Sequence, residues 1–267
     1  MIPGLIALAL VMGLAMQAAA DPIQQIVTVL RVKGAARYST DGKTYQTLQK
    51  GDVLKPGALV QTAPESEVDL QLGGTSGAGT TQVVNKNGNG LNDVYNGTII
   101  GNKGGGLYNP DAEESANIVR IQENSVLSID KLTVEQTGAD TVEETQLDLR
   151  AGSIVGNVKK MSAASKYEVK IPNGVAGIRG TFYFLSSAGV VDVVLGSVVI
   201  AVVHADGTVV TKVVTAGFKY DPLTGILSKI PPLEEKLLAA IARTLHLTSP
   251  PTFYPIPTGI VYVSPVR

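Results

Sequence analysis

Histidines and paired carboxylates are the side chains of this sequence that could perform chemistry, and they are few and scattered. The 267 residues include no cysteine and two histidines. The missing cysteines exclude thiolate nucleophiles, disulfides and cysteine zinc sites. His204 precedes an Asp-Gly turn, and His246 ends a helical pattern where its charge favours the helix dipole. We interpret both as structural, and we predict that the protein is not an enzyme and has no cofactor.

Adjacent carboxylates are the other candidates for acid–base chemistry. Glu113–Glu114 and Glu143–Glu144 lie in polar segments, where we expect water to surround them. Two carboxylates that folding brings together can hydrolyse a glycoside. That alternative stays open at the level of sequence. The Gly-x-Ser-x-Gly and His-Glu-x-x-His motifs of common hydrolases are absent.

A segment rich in glycine and asparagine contains the spacing of a calcium loop. Asn85, Asn87, Asn89 and Asp93 alternate as the ligands of such a loop do, and Gly90 has its turn position. Only Asp93 supplies a carboxylate, and neutral amides bind hard cations weakly. We therefore predict an ordinary turn and no metal site, with weak calcium binding as the alternative.

The overall charge gives no basis for binding nucleic acid. The formal net charge is -1, from 22 basic and 23 acidic residues. A protein that neutralises phosphates needs a surplus of lysine and arginine. We therefore predict that nucleic acid is not a partner.

The first 20 residues have the composition of an export signal. They form an uncharged apolar run that ends in Ala18-Ala19-Ala20, which satisfies the small-residue rule for signal peptidase. We predict a signal peptide at 1–20 and a periplasmic or secreted protein without a membrane span after cleavage. An uncleaved anchor is the alternative, because about 20 apolar residues can cross a bilayer.

Short strands separated by turns dominate the chain from Ile26 onward. In EVDLQLG, Val68, Leu70 and Leu72 alternate with polar residues, which is typical of a strand with one buried face. Asp206-Gly207 predicts a hairpin turn between two valine-rich strands, which with TFYFL form an antiparallel meander. We predict a mainly β domain over residues 21–225.

Residues 73–116 interrupt this domain as a glycine- and asparagine-rich insertion. Between 73 and 110 the chain holds 11 of its 29 glycines and seven asparagines. The segment has few bulky apolar side chains, so their burial would offset little of the backbone entropy lost when the segment becomes ordered. We predict a long surface loop, with one hairpin through Val94, Tyr95, Ile99 and Ile100.

The stretch KYEVKIPNGVAGIRGTFYFLSSAGVVDVVLGSVVI, residues 166–200, contains proline and glycine at positions that punctuate its strands. We predict that the chain turns at a glycine-rich corner after one strand ends and that Gly196 lies at a β-bulge or a close strand crossing. Arg179 suits a structural role, in which it hydrogen-bonds backbone carbonyls, and an anion contact is the alternative. The residues of this motif are Pro172, Gly177, Arg179, Gly180, Thr181 and Gly196.

This stretch resembles the FecR domain family. The shared pattern is an aromatic-x-Val strand, a proline, a Gly-x-Arg-Gly-Thr corner, an aromatic strand and a valine strand that ends in Gly-x-Val. The resemblance extends over about 26–220, apart from the insertion. It implies an antiparallel or meandering β sandwich, or a solenoid-like domain, that binds a partner and catalyses no reaction. Because no cytoplasmic segment precedes the apolar run, we expect a free-standing exported member and not a full iron-uptake regulator.

The C-terminal portion, 226–267, predicts a helix followed by a proline-rich tail. Pro232 suits the first helical turn, and Leu233, Leu237, Leu238, Ile241 and Leu245 form an apolar stripe. We expect this stripe to pack on the sheet, with docking to a partner as the alternative. The tail residues 260–263 could add an edge strand within this fold or to another chain.

Together these features predict a protein that binds a protein or glycan in the bacterial cell envelope and acts as a signalling adaptor. The alternative is a structural or assembly component that associates with copies of itself. The identity of the partner cannot be predicted from the sequence.

Overall fold

The computed structural model describes residues 21–75, 81–84, 91–95, 98–101, 117–137 and 140–245. Several predicted features lie outside these residues. They are the signal peptide at 1–20, Asn85, Asn87, Asn89 and Gly90 of the calcium pattern, Glu113–Glu114, and the chain from His246 through the tail.

Strands make up most of the described residues, and one helix follows them. The prediction of a mainly β fold with a C-terminal helix is confirmed. The elements are β1 (Ile23–Lys33), β2 (Ala36–Ser39), β3 (Gln46–Thr47), β4 (Val53–Leu54), β5 (Leu59–Thr62), β6 (Glu67–Thr75), β7 (Thr81–Val84), β8 (Leu91–Tyr95), β9 (Thr98–Gly101), β10 (Asn117–Ile121), β11 (Val126–Thr137), β12 (Asp140–Ala151), β13 (Ser153–Asn157), β14 (Lys166–Ile171), β15 (Gly174–Ser186), β16 (Val191–Val203), β17 (Val209–Thr215), β18 (Phe218–Asp221), β19 (Ile226–Lys229) and α1 (Pro232–Thr244).

Eight strands pair in a closed ring. Around it the order is β1, β11, β12, β14, β15, β13, β10, β6 and back to β1. All pairs in the ring are antiparallel except β12 with β14. The sheet is therefore barrel-like, in contrast to the sandwich or solenoid that we expected. Alternating hydrophobicity predicts which face of a strand is buried, but it does not predict which edges pair.

The main core fills the inside of this ring. Val68, Leu70 and Leu72 of β6 point inward and are buried, as the alternation predicted. On the neighbouring strand β10, Val119 and Ile121 are also buried against the same cluster. Each strand thus buries the side chains of its inner face, as expected because successive side chains of a strand point to opposite faces of the sheet.

Helix α1 covers part of the outer face of the sheet and creates a second, smaller core. Leu238, Ala242 and Leu245 of the helical segment pack there against strand residues Ile118, Val155, Phe182 and Val194. Leu233 and Leu237 of the predicted stripe do not join them, because 81% and 62% of these residues are exposed. Small residues carry the contact, since Ala239 and Ala242 are buried and allow close approach. Leu237 lies about 100° from Leu238 around the helix axis, and Leu233 lies about 140° from it.

The insertion connects two strands that are neighbours in the main sheet. β6 and β10 pair directly, with Leu72 opposite Asn117. β6 itself continues to Thr75, so the strand extends into the region that we predicted to be loop. Strands β7, β8 and β9 form a separate three-stranded sheet. The predicted hairpin is confirmed, because Val94 pairs with Ile99.

The predicted meander is confirmed, but the glycine-rich corner is not where we placed it. β15, β16 and β17 pair consecutively and antiparallel. The chain turns at Pro172–Asn173, between β14 and β15, and the segment GVAGIRG continues as part of β15. Gly174 is the glycine that the close packing requires, since a Cβ there would lie 2.1 Å from the Ala201 carbonyl oxygen.

Candidate interaction surface

The motif glycines form a bulge between β15 and β16. Arg179 pairs with Ser197 and Phe182 with Leu195, so Gly180 and Thr181 together oppose Gly196. Gly180 has a φ of 55° and Gly196 a φ of 81°. A Cβ on Gly196 would lie 2.2 Å from the Gly180 carbonyl oxygen. This position therefore requires glycine for both its conformation and its packing.

Thr181 holds the bulge through its buried hydroxyl. Its Oγ1 lies 2.7 Å from the Arg179 carbonyl oxygen and accepts a 3.2 Å hydrogen bond from the Ser197 amide. Gly177 lies in regular strand, and Pro172 is exposed in the turn before it. Arg179 is also exposed, and its guanidinium donates a long, 3.5 Å hydrogen bond to the Ala163 carbonyl. These contacts shape the sheet, and the structural role of Arg179 stays a prediction.

A buried charge network lies on the outer face of the sheet, under the end of helix α1. Arg120 donates from Nε and Nη2 to the two Asp69 oxygens at 2.6 and 2.8 Å, and Arg31 Nε donates to Asp69 Oδ2 at 2.7 Å. Burial alone raises the pKa of Asp69, but the hydrogen bonds from Arg120 and Arg31 outweigh it and hold the pKa below its usual value. Arg120 Nη1 also donates to Thr244 Oγ1 at 2.7 Å. The network therefore anchors the helix.

Asp192 of β16 is a second buried charge, and it lacks a close partner. Its Oδ1 atom accepts no hydrogen bond, and Lys219 Nζ lies 3.8 Å away. Lys219 instead forms a 2.8 Å ion pair with Glu234 of helix α1. Burial raises the pKa of Asp192 to about 6, although Lys219 acts in the opposite direction. This carboxyl lies between the sheet and helix α1.

Where the structure describes them, the predicted chemical side chains do not converge. His204 lies in the turn after β16, where its amide bonds the Thr208 carbonyl. Glu143 and Glu144 lie in strand β12 and not in a solvated loop, and each forms an ion pair with a different lysine. Among the described residues, no group of three or more His, Asp or Glu side chains could hold a metal.

One motif that sequence reasoning missed is the Ser-x-x-Lys spacing of Ser128 and Lys131. The structure assigns these side chains to different contacts, because Ser128 Oγ donates to Asp130 and Lys131 Nζ to Glu144. Two open depressions, of about 560 and 400 Å³, occur near residues 33–37 and 61–67. The larger one is lined mainly by small and neutral residues. The smaller one is lined by Ser66 together with Glu65, Glu67 and Glu123. The Ser66 hydroxyl donates to the Pro64 carbonyl and accepts from the Ala35 amide, so none of these carboxylates receives its proton.

Exposed apolar side chains concentrate in the last third of the described chain. Of the twelve large hydrophobic residues that are exposed among the described side chains, ten lie between Leu195 and Leu237. Four of them form one face of the β16–β17 hairpin, where Val199 pairs with Val213 and Val203 with Val209. Ala201 and Thr211 pair between them, so this face carries no charge. We call these six residues the valine face.

The outer edge of β17 has no partner among the described strands, since β17 pairs only with β16. The Ala216 amide bonds the Gly196 carbonyl at 3.1 Å, and the His204 amide bonds the Thr208 carbonyl at 2.8 Å. Hydrogen-bonded pairs alternate in an antiparallel ladder, so even-numbered residues of β17 bond to β16. The N–H and C=O groups of Val209, Thr211, Val213 and Thr215 therefore point to the open edge.

The comparisons with known proteins identify the region that contains this hairpin. A family model described as FecR protein matches residues 112–211. Residues 112–211 are thus similar to the FecR family. The resemblance stated from the sequence is thereby confirmed over these residues, which contain the bulge motif and all of the valine face except Val213.

Two solved structures are similar to this chain at low identity. Both are crystal structures of an anti-sigma factor from Parabacteroides distasonis, with 13% identity to this chain, 48% of it covered, and TM-scores of 0.34 and 0.33. The match spans 56% and 57% of those chains, so this protein covers little more than half of their length. A search of curated proteins found no match. Within the described residues, no helix has the length and apolar character needed to cross a membrane.

Proposed function

We propose that this chain is an exported, non-enzymatic FecR-domain protein that binds a protein partner in the cell envelope and takes part in signalling. The observation that carries the proposal is the concentration of exposed apolar side chains between Leu195 and Leu237. Four of these side chains are neighbours across the β16–β17 pair, and contiguous apolar surface marks interaction sites on soluble domains. The regulatory role implied by the FecR family supports the same conclusion.

A protein partner suits this surface better than a glycan does. Sugar rings are usually bound by exposed aromatic faces with several polar groups around them, whereas this surface presents valine and leucine. The aromatic residues of the region, Phe218 and Tyr220, are half-buried and buried. Aliphatic surface with few charges resembles the centre of a protein–protein interface.

Export is the part of the proposal that concerns residues 1–20. Their composition supports cleavage after Ala20, which would leave Asp21 as the mature N-terminus. Mass measurement of the protein recovered from the periplasm or the medium tests this directly. A chain that retains residues 1–20 in the membrane fraction would indicate an anchor.

The binding proposal is tested by affinity capture from detergent-solubilised envelope, with residues 21–267 as bait. A bait that ends at Gly225 is unsuitable, because it would lose helix α1 and uncover Phe182 and Val194. Point variants avoid this problem.

We expect the bait to retain a defined envelope protein and the double variant Val199→Asn/Val213→Asn to lose it. The matched control is Ile23→Asn/Val53→Asn, which changes two exposed apolar residues on other strands and should retain it. Equal capture by both double variants, or no captured protein, would contradict the proposal.

A further inference from the structure

We infer that the open edge of β17 binds an extended segment of the partner protein as an additional strand. This inference rests on the proposed function, and it specifies which atoms make the contact. Strand addition supplies affinity through backbone hydrogen bonds and specificity through alternate side chains.

The backbone of β17 supplies an uninterrupted row of outward-facing groups that pair with no other described strand. Val209, Thr211, Val213 and Thr215 each direct an N–H and a C=O away from β16, as the alternation of the ladder requires. β17 is seven residues long and contains no proline, glycine or bulge. An edge of this length matches that of an ordinary strand.

Within residues 21–245, the position next to β17 in the sheet is unoccupied because the chain turns away before reaching it. β17 and β18 follow each other along the same edge of β16, and β19 pairs with β18. Ile230 still donates to the Gly217 carbonyl at 3.0 Å, so the next residues would continue beside β17. They are Pro231 and Pro232, which lack an N–H and begin helix α1. An added segment would therefore pair with β17 at the position that β19 would occupy if it continued beyond Ile230.

The side chains of the edge specify the chemistry of the segment. On one side, the valine face would pack against β-branched or other apolar residues. On the other side, Lys212 is the single charged residue of β17, and it is exposed. A segment that alternates apolar residues with an acidic residue opposite Lys212 would complement both sides.

The same lysine disfavours a second copy of this chain as the occupant. Two copies related by a two-fold axis would pair their β17 edges antiparallel. Full overlap of Val209–Thr215 places Lys212 directly opposite its own counterpart, since it is the middle residue of the strand. Like charges in that position destabilise the pair. A register shifted by two residues separates the lysines but loses part of the overlap.

The test uses the full mature chain and the envelope protein that this chain retains as bait. We expect Thr211→Pro to weaken the complex by about tenfold or more, because it removes an outward N–H and leaves the bonds to β16 in place. Thr211→Val keeps the N–H and enlarges the valine face, so it should bind the partner at least as tightly as the natural chain. Thr47→Pro, at the outer edge of β3, is the matched control for replacing threonine by proline on an edge strand and should have little effect.

Hydrogen exchange keeps the test valid if Thr211→Pro does not fold. In the unmodified protein, the amides of Thr211 and Val213 should exchange fast alone and become protected at least about tenfold by the partner. Amides of Val210, Lys212 and Val214 should be slow in both states.

The outcomes separate this inference from the proposed function. A captured partner that is insensitive to Thr211→Pro and leaves the Thr211 and Val213 amides unprotected overturns the strand inference alone. A partner that proves to be a second copy, or residues 246–267 of the same chain, overturns it as well. If no envelope protein is captured, both fail.

Discussion

Gly196 and Gly207 have nearly the same backbone conformation but different surroundings. Their φ values are 81° and 82°. A Cβ added to Gly196 would lie 2.2 Å from the Gly180 carbonyl oxygen, whereas a Cβ added to Gly207 would have no neighbouring atom within 4 Å. Gly207→Ala should therefore cost about 1 kcal/mol, the price of the left-handed conformation alone. Gly196→Ala should cost about 3 kcal/mol or more, because the bulge must also open.

Chemical denaturation of both variants measures these costs. The difference between them isolates the contribution of packing in the bulge from that of the backbone conformation. Equal destabilisation would show that the close approach of Gly196 to Gly180 contributes nothing to stability.

The buried carboxyl of Asp192 should make stability fall as pH rises. Burial raises its pKa from 3.8 to about 6 in the folded state, so the folded protein holds the proton more tightly than the unfolded chain does. Its contribution is fully present below about pH 4 and is lost as pH rises through about 6. Asp192→Asn cannot ionise, so it should gain about 2 to 3 kcal/mol relative to the natural protein between about pH 4 and pH 7.

The free energy of unfolding, measured by urea denaturation across this range, gives the comparison. Asp140→Asn, at an exposed position, is the control and should keep a constant difference from the natural protein. A constant difference for Asp192→Asn would mean that Asp192 is already ionised near pH 4 in the folded state.

Asp69 acts with the opposite sign, since its pKa is lowered and its contribution is lost as pH falls.

At the residue scale, the sequence predicted a glycine required by the backbone better than it predicted contacts between charged side chains. Gly196 was recognisable because a lone glycine in a valine strand favours a bulge. The Arg120–Asp69–Arg31 network was not predictable, since the three residues are brought together only by pairing of β10, β6 and β1. Lys212 can be recognised from the sequence as the one charged residue of its strand. Its proposed effect on which segment pairs there depends on the open edge of β17.

At the scale of elements, adjacent leucines on helix α1 test which face packs on the sheet. Leu238 is 4% exposed and lies in the second core, whereas Leu237 is 62% exposed. Leu238→Ala should destabilise the protein by about 2 to 4 kcal/mol through lost burial and a cavity. Leu237→Ala should change stability by less than about 0.5 kcal/mol.

Thermal and urea unfolding of the two variants provide the measurement. The substitution is the same, in the same helix and one residue apart, so the helix propensity lost is matched. A cost for Leu237→Ala as large as that for Leu238→Ala would place the predicted leucine stripe against the sheet after all.

The existence of this helix was predictable, but its buried face was predicted only in part: Leu238, Ile241 and Leu245 of the stripe pack in the second core, whereas Leu233 and Leu237 do not. Pro232 at its start and Glu234 and Glu235 in its first turn are standard signals, and the structure has all three there. The predicted apolar stripe was drawn from large side chains alone. The contact is centred instead on Leu238, Ala239 and Ala242, where small residues allow the helix to approach the outer face of the sheet.

For the whole molecule, closure of the sheet was the feature that the sequence did not predict. The local pairings between consecutive strands follow from turns such as Asp206-Gly207. Closure depends on the parallel pair β12–β14, between strands separated along the chain by β13. Nothing in the periodicity of either strand distinguishes this partner from another. The exposed edge of β17 is a consequence of the same topology, because β17 lies outside the closed ring.

The assembly alternative leads to a prediction about the mass of the protein in solution. If Lys212 prevents two copies from pairing their β17 edges, the mature chain should be monomeric at all concentrations, and Lys212→Val should associate as concentration rises. Lys43→Val is the control, since Lys43 is also exposed but lies in the loop between β2 and β3. Sedimentation equilibrium measures the mass of each. Association of the natural chain would favour the assembly alternative, whereas monomeric Lys212→Val would show that this lysine does not protect the edge.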